Sequence, residues 1–323
     1  MKRNKMKIMT CLAMMSVLSS AGCGDTAKNS AEKPKVYMYK EISSENLVKI
    51  YERLGRKAEG RVAVKLSTGE PGNDNYLDPA LIADLVRLVN GTIVECNTAY
   101  GGGRAKTADH LKAAEDHGFT AIAPVDIMDA DGDAVLPVAG GKHLTEDFVG
   151  RNYLDYDFTV VLSHFKGHPM GGFGGAIKNI AIGIASSEGK AWIHSAGKTK
   201  SQSEVWRNLP PQDDFLESMA EAAKAVTDHC GDKILYISVA NRLSVDCDCV
   251  ATPEEPRMAD IGILASLDPV ALDKACTDMV RNSEDAGKVH LIERIDSRNG
   301  MHTLEYAEQL GMGSRDYELV MLD

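Results

Sequence analysis

Beyond position 34 the chain alternates between short runs rich in Val, Ile, Leu and Tyr and longer stretches whose apolar residues return at helical spacing. Runs of the first kind suit strands and the second kind suits amphipathic helices, so the alternation predicts a sheet covered by helices. Strands are expected at 35–39, 61–66, 92–95, 158–163, 233–241, 260–265 and 317–321. Between them, Asp78-Pro79 supplies an N-cap and a first-turn proline, and Asn90-Gly91 stops the helix it starts. Asp268-Pro269 opens another in the same way, and a third helix at 107–117 is closed by Gly118. The polar, proline-containing stretch 198–214 reads as an excursion from the fold. The expected fold class is α/β: one large, doubly wound domain with a mostly parallel sheet flanked by helices.

Before this pattern begins, Lys2, Arg3, Lys5 and Lys7 precede an apolar run at 8–18 that is too short to span a bilayer. Ser20-Ala21-Gly22-Cys23 then places small residues ahead of a cysteine, the arrangement a lipoprotein signal peptidase needs. The expectation is a signal peptide at 1–22, a tether at 23–34 beginning with lipid-modified Cys23, and the α/β domain at 35–323. It places the protein in the bacterial cell envelope outside the cytoplasm, periplasmic or on the surface, held to the membrane by its N-terminal lipid. An ordinary signal peptide with an incidental Cys23 is the other reading. Losing those four basic residues takes the formal charge from −11 to −15, which argues against nucleic acid as a partner.

Seven cysteines are too sparse for a disulfide scaffold in this length. Cys247 and Cys249 stand apart from the others because Asp246-Cys247-Asp248-Cys249 concentrates two thiols and two carboxylates. Cys276 reads as a buried small residue.

Most of the unusual polar segments directly follow an expected strand. Ser67 to Asn73 follows the second; Asn97, Thr98, Tyr100 and Arg104 follow the third. His164-Phe165-Lys166-Gly167-His168, a glycine-rich run and Lys178-Asn179 follow the fourth, and the Cys247 segment follows the fifth. Loops leaving the carboxyl ends of parallel strands share one sheet edge, so these segments point to one ligand site.

Within that site, His164, His168, Cys247 and Cys249 are the candidate ligands for a metal ion, zinc or iron, because one Cys-x-Cys cannot fill a tetrahedral shell alone. Inert loop histidines and a disulfide are the plain alternatives. Gly172, Gly174 and Gly175 lead into a helix whose free amides suit an anion, with Lys178, Asn179, Glu70 and Asn97 as further cofactor-binding candidates. Lys166, His164 and Arg104 are the candidate catalytic groups. Lys65, Arg104, Lys166 and Lys178 bring positive charge to these loops, which suits a small anionic molecule. Glu70 or Asp246 is placed to neutralise that charge, in which case the cluster is a structural ion network.

The words "GEPGN" at 69–73, "NTAYGGGR" at 97–104, "HFKGHPMGGFGGAIKN" at 164–179, "DCDC" at 246–249 and "PRMADIGILASLDPVALDKA" beyond it stand in one order. From about Lys35 to the end the chain resembles the domain of unknown function 362 family. Many members carry an inserted ferredoxin-type segment after the stretch matching 189–195. This chain has no cysteine at 196–212, so no ferredoxin-type cluster is expected, although the family resemblance implies an iron–sulfur or electron-transfer context. The expected function is an extracytoplasmic, metal-dependent enzyme acting on a small anionic substrate. Two other readings stay open: a lipoprotein that binds or delivers a metal or cofactor, and a redox partner using Cys247 and Cys249.

Overall fold

The computed structural model describes residues 32–323. Its first half runs β1 (Lys35–Tyr39), α1 (Ser44–Arg53), β2 (Val62–Lys65), α2 (Pro79–Leu88), β3 (Gly91–Glu95), α3 (Thr107–Asp116) and β4 (Val125–Ile127). A hairpin of β5 (Asp133–Pro137) and β6 (Glu146–Gly150) precedes β7 (Phe158–His164), and a second hairpin, β8 (Lys166–His168) and β9 (Gly172–Gly174), follows it. Then come α4 (Ala176–Ile184), α5 (Ser187–His194), α6 (Gln212–Cys230), β10 (Ile234–Ala240) and β11 (Gly262–Ser266). The chain ends with α7 (Pro269–Asn282), α8 (Lys288–Ser297), α9 (His302–Gln309) and β12 (Glu318–Met321).

Eight strands form the main sheet in the order β12-β1-β11-β10-β7-β2-β3-β4. Only β11 opposes its neighbours, β1 and β10; the other pairings in this sheet are parallel. The domain is therefore a mostly parallel α/β sheet, as the alternation implied. From β2 the chain winds outward to β3 and β4, then returns to β7 and β10 on the other side. The loops leaving β2 and β7 consequently diverge, which opens a crevice at the carboxyl ends of these two strands.

Local signals explain the helix starts. The Asp78 carboxylate accepts from Ala80 N at 2.8 Å and Asp268 accepts from Ala271 N at 2.9 Å, each followed by a proline whose missing N–H is no loss in a first turn. Asn90 adopts φ +48° as α2 ends, and Gly118 adopts +86° beyond α3. Every residue of β7 and β10 is buried because helices cover both sheet faces. Val160 and Leu162 pack with Leu47, Ile50 and Leu85 on one face, while Val161 packs with Ile177, Ile180 and Leu216 on the other.

The polar stretch expected as an excursion holds a short 3-10 turn at Val205–Arg207 before α6 begins. Among the described residues no helix is long and apolar enough to cross a membrane. The expected export signal and Cys23 lie outside the described residues.

Candidate functional site

α4 is fastened across the β2–β7 crevice by Asn179. Its amide nitrogen donates to Lys65 O and Ser163 Oγ, both at 3.1 Å, and its Oδ1 accepts from Lys65 Nζ at 3.0 Å. Beside this clamp lies a cavity of about 520 Å³, walled by Lys65, Ser67, Tyr100, Arg104, His168, Lys178, Lys190, His194, Trp206 and Cys249, among others. A recess of about 70 Å³ adjoins it and shares Ser67, Lys178, Asn179 and Cys249 with the main cavity. His164, Lys166, Gly174, Gly175 and Asp248 line the recess.

The cations here fall into two groups. Arg104, with a side chain only 4% exposed, is held by Glu70 through Nε and by Glu95 through Nη1, both at 3.0 Å. Glu95 also accepts from His110 Nε2 at 2.8 Å and from the Thr68 amide. Burial opposes ionisation of Glu95, but Arg104 and the His110 hydrogen bond outweigh it and hold the carboxyl below the usual carboxylate range. Lys166 donates to Asp248 and to His164 O at 3.2 Å. Burial pushes Asp248 up and Lys166 and His164 pull it down, leaving it at about 2.

Lys65, Lys178 and Lys190 are different. Lys65 Nζ donates to Leu66 O at 2.6 Å and to Asn179, and Lys190 Nζ donates to Ala185 O at 2.5 Å and Cys96 O at 3.4 Å, all neutral acceptors. Lys178 lies on the wall of both cavities and has no hydrogen-bond or ion-pair partner among the described residues. Burial, reinforced by Lys166 and Lys65, lowers its amine to about 7, and burial lowers Lys65 to about 8 against the pull of Glu95.

Two histidines face the main cavity in opposite tautomers, as assigned from their hydrogen bonds. His168 Nδ1 accepts from Met170 N at 3.2 Å and Gly171 N at 2.8 Å, so a neutral ring carries its proton on Nε2. His194 Nδ1 donates to Lys190 O at 2.7 Å, which leaves Nε2 as an acceptor. Burial, with Lys178 next in weight, holds His168 well below the ordinary imidazole range, and burial lowers His194 to about 4. The pair therefore offers one donor and one acceptor at neutral pH.

The expected metal quartet divides. Cys247 and Cys249 are joined as a disulfide, and His168 has a ring nitrogen within 4.8 Å of their sulfurs. His164 is outside this group: Nδ1 meets Asp248 at 3.0 Å and Nε2 meets Asn241 O at 2.6 Å, so both ring nitrogens are engaged. The expected anion cradle is also filled from within. The Ala176 and Ile177 amides at the start of α4 donate to the Asp273 carboxylate at 2.7 and 3.0 Å, and a Cβ on Gly175 would run into that carboxylate. Gly172 packs against Gly300 and Ile295 and does not line either cavity.

Of the remaining candidates, Glu70 serves Arg104 and the Gly103 amide, and Asn97 spans Asp129 and Thr107 at 2.8 and 3.0 Å. Neither lines a cavity. Asp246 pairs with Arg294 at 3.0 Å, so Glu70 alone of the two suspected carboxylates neutralises a cation of the site. Lys190, His194 and Trp206 line the cavity without having stood out in the sequence.

A family model described as a domain of unknown function, DUF362, matches residues 62–278, more than half of the 323-residue chain. The chain belongs to the DUF362 family. The DUF362 match spans the strands and loops that carry Lys65, Arg104, Lys178 and Cys249. No curated protein matches the chain. Among solved structures, the lactate racemase apoprotein from Thermoanaerobacterium thermosaccharolyticum is 17% identical with a TM-score of 0.37, covering 64% of this chain and 51% of that one. A Thermotoga maritima protein is 12% identical with a TM-score of 0.38, covering 82% of this chain and 58% of that one. The DUF362 chain thus spans little more than half the length of either.

Proposed function

We propose that this protein is an enzyme acting on a small anionic substrate in the 520 Å³ cavity at the carboxyl edge of β2 and β7. The observation that carries the reading is the Lys178 amine, set on the cavity wall among other cations with no carboxylate in hydrogen-bond or ion-pair contact, Asp248 acting on it only from a distance and itself paired with Lys166. A buried like-charge cluster is unfavourable alone and becomes favourable when an anion enters. Lys65, Lys178 and Lys190 supply the positive field, while His168 Nε2 donates a hydrogen bond to the reacting group and His194 Nε2 is open to accept one. In this reading the protein works outside the cytoplasm, tethered through a lipid on Cys23.

Calorimetric titration with inorganic phosphate and with acetate tests the cavity. Saturable binding that weakens at least tenfold in Lys178→Met is expected, about 1.4 kcal/mol. No saturable binding by either anion would remove the reading. For the anchor, Cys23→Ala should move the protein from the membrane fraction to the soluble one, and unchanged retention would count against lipidation.

A second reading is favoured by the closeness of His168, Cys247 and Cys249. Once reduced, two thiolates and an imidazole suit a thiophilic cation such as zinc, with a fourth position open. Elemental analysis of reduced protein exposed to zinc, against Cys249→Ser, checks it; equal metal content in both would dismiss it.

A further inference from the structure

We infer that Lys178 is a covalent catalyst: its amine condenses with the carbonyl carbon of a small anionic aldehyde or 2-oxo acid bound in the cavity. This rests on the anion-binding reading above and names the substrate class of the same site.

Three observations carry it. First, the Lys178 amine lies on the wall shared by the main cavity and its recess, with neither a hydrogen-bond donor nor an acceptor among the described residues engaging it, so its lone pair is not tied to a protein group. Second, Lys166, Lys65 and Arg104 bear on it electrostatically against the opposing pull of Asp248, and a neighbouring cation is one of the established ways a protein keeps a lysine neutral and nucleophilic. A lysine whose role is only to hold an anion gains from staying charged. The surroundings of Lys178 push the other way, toward a neutral amine near pH 7. Third, Lys65 and Lys190 lie on the same cavity wall and remain to hold the anionic group of the ligand while Lys178 reacts.

The step balances without an added reagent. The nitrogen lone pair attacks the carbonyl carbon and forms the C–N bond; the carbonyl oxygen departs as water, carrying away the two amine hydrogens. Protonation of the imine nitrogen then makes an electron-withdrawing group beside the carbon that bore the carbonyl. That arrangement favours bond cleavage or proton removal at the adjacent carbon.

The test is reductive trapping on the intact protein. Pyruvate, glyoxylate and pyridoxal 5′-phosphate are each incubated at neutral pH with sodium cyanoborohydride, and the adduct is mapped by peptide mass spectrometry. A dominant adduct on Lys178 with at least one of the three is expected, at least tenfold faster than on surface lysines. It should be absent from Lys178→Arg. Acetylation rates of Lys178 across pH provide a check that needs no ligand: half-maximal reactivity is expected near neutrality, well below the other lysines. Labelling of Lys178 no faster than of surface lysines with all three probes overturns the inference. If phosphate still binds in that case, only the imine step has failed; if phosphate does not bind either, the anion reading has failed with it. An adduct on Lys178 that phosphate does not slow would keep the covalent step and discard the anion site.

Discussion

Two groups of cations, all buried except the partly buried Lys178, share the carboxyl edge of one sheet, and their surroundings are opposite. Arg104 sits between Glu70 and Glu95, with His110 completing a closed network in which every charge has a partner. Lys178 and its neighbours Lys65 and Lys190 face an open cavity and meet only neutral acceptors or none. Burying a charge is unfavourable, and a partner of opposite sign offsets it. The arginine group is therefore complete without a ligand, whereas the lysine group, in the proposed reading, is completed by one. Positive residues gathered at one edge do not by themselves distinguish the two groups; direct pairing with a carboxylate does, since Glu95 and Asp248 act on Lys65 and Lys178 only without contact.

Breaking the closed network should give the largest effect. Glu95→Gln removes the negative charge that pairs with Arg104 and sets an NH2 against either the Thr68 amide or the Arg104 guanidinium, and is expected to destabilise the fold by about 3–5 kcal/mol, read from denaturant unfolding. The pH dependence has a definite sign. Glu95 titrates lower in the folded chain than unfolded, so its stabilisation is present above the ordinary carboxylate range. It is lost as pH falls through the folded value. Acid unfolding should accordingly be less steep in the variant.

The same experiment on the open group should reverse the sign. Lys178→Met removes an amine with no partner, so stability at pH 7 is expected to rise by about 0.5–2 kcal/mol while phosphate binding falls at least tenfold. The folded amine titrates at about 7 against 10.5 for an unperturbed lysine, so the unfolded chain binds more protons between those values. Wild-type stability should therefore climb from pH 7 toward pH 10 relative to the variant. A variant that is less stable at every pH would show that Lys178 has a partner after all.

The sheet was more legible than this contrast. Buried parallel strands such as β7, Phe-Thr-Val-Val-Leu-Ser-His, advertise themselves by a β-branched run, and the Asp-Pro pairs fixed two helix starts through chemistry of their own. β4, β8 and β9 have three residues each, including Lys-Gly-His and Gly-Phe-Gly, and form only because neighbouring chain is in place. At the site, a glycine-rich approach drew notice to Lys178, but pairing across the fold is not written in local sequence. Glu95 reads as the end of a strand, and only the return of 97–104 over Glu70 brings Arg104 to it. Lys190 and His194 lie on α5, a short helix whose first residues are drawn in when Ser186 N donates to Phe148 O at 2.9 Å. No spacing in the sequence carries that contact.

A smaller effect is expected at the start of α4. Asp273 accepts the Ala176 and Ile177 amides, so Asp273→Ala should destabilise by about 1–2 kcal/mol, measured by thermal unfolding. Burial raises this carboxyl to about 7 despite those hydrogen bonds. The folded chain thus holds its proton where the unfolded chain, at 3.8, does not, and stability should decline as pH rises from about 4 to about 7. Asp273→Asn keeps one acceptor and should remove that decline.

The Cys247–Cys249 link, on the lip between the two groups, is expected to matter least for stability. It closes a loop with one residue between the cysteines, so the entropy it withdraws from the unfolded chain is small. The surrounding backbone is also held independently: Glu70 N donates to Asp248 O at 2.7 Å, Tyr100 OH to Cys249 O at 3.3 Å, and Asn73 Nδ2 to Val250 O at 2.7 Å. Those bonds tie the segment to the loops of the closed network whether or not the sulfurs are joined. Cys249→Ser, or reduction of wild type, should therefore lower stability by about 1 kcal/mol or less. Phosphate binding should change less than twofold, because none of the three lysines depends on the sulfurs for position. Thermal unfolding and calorimetry on oxidised and reduced protein check both numbers. A loss of several kcal/mol would mean the link anchors the closed network. A large change in phosphate binding alone would instead make the cysteine pair part of the open cavity's chemistry, and would move the boundary between the two groups across the lip.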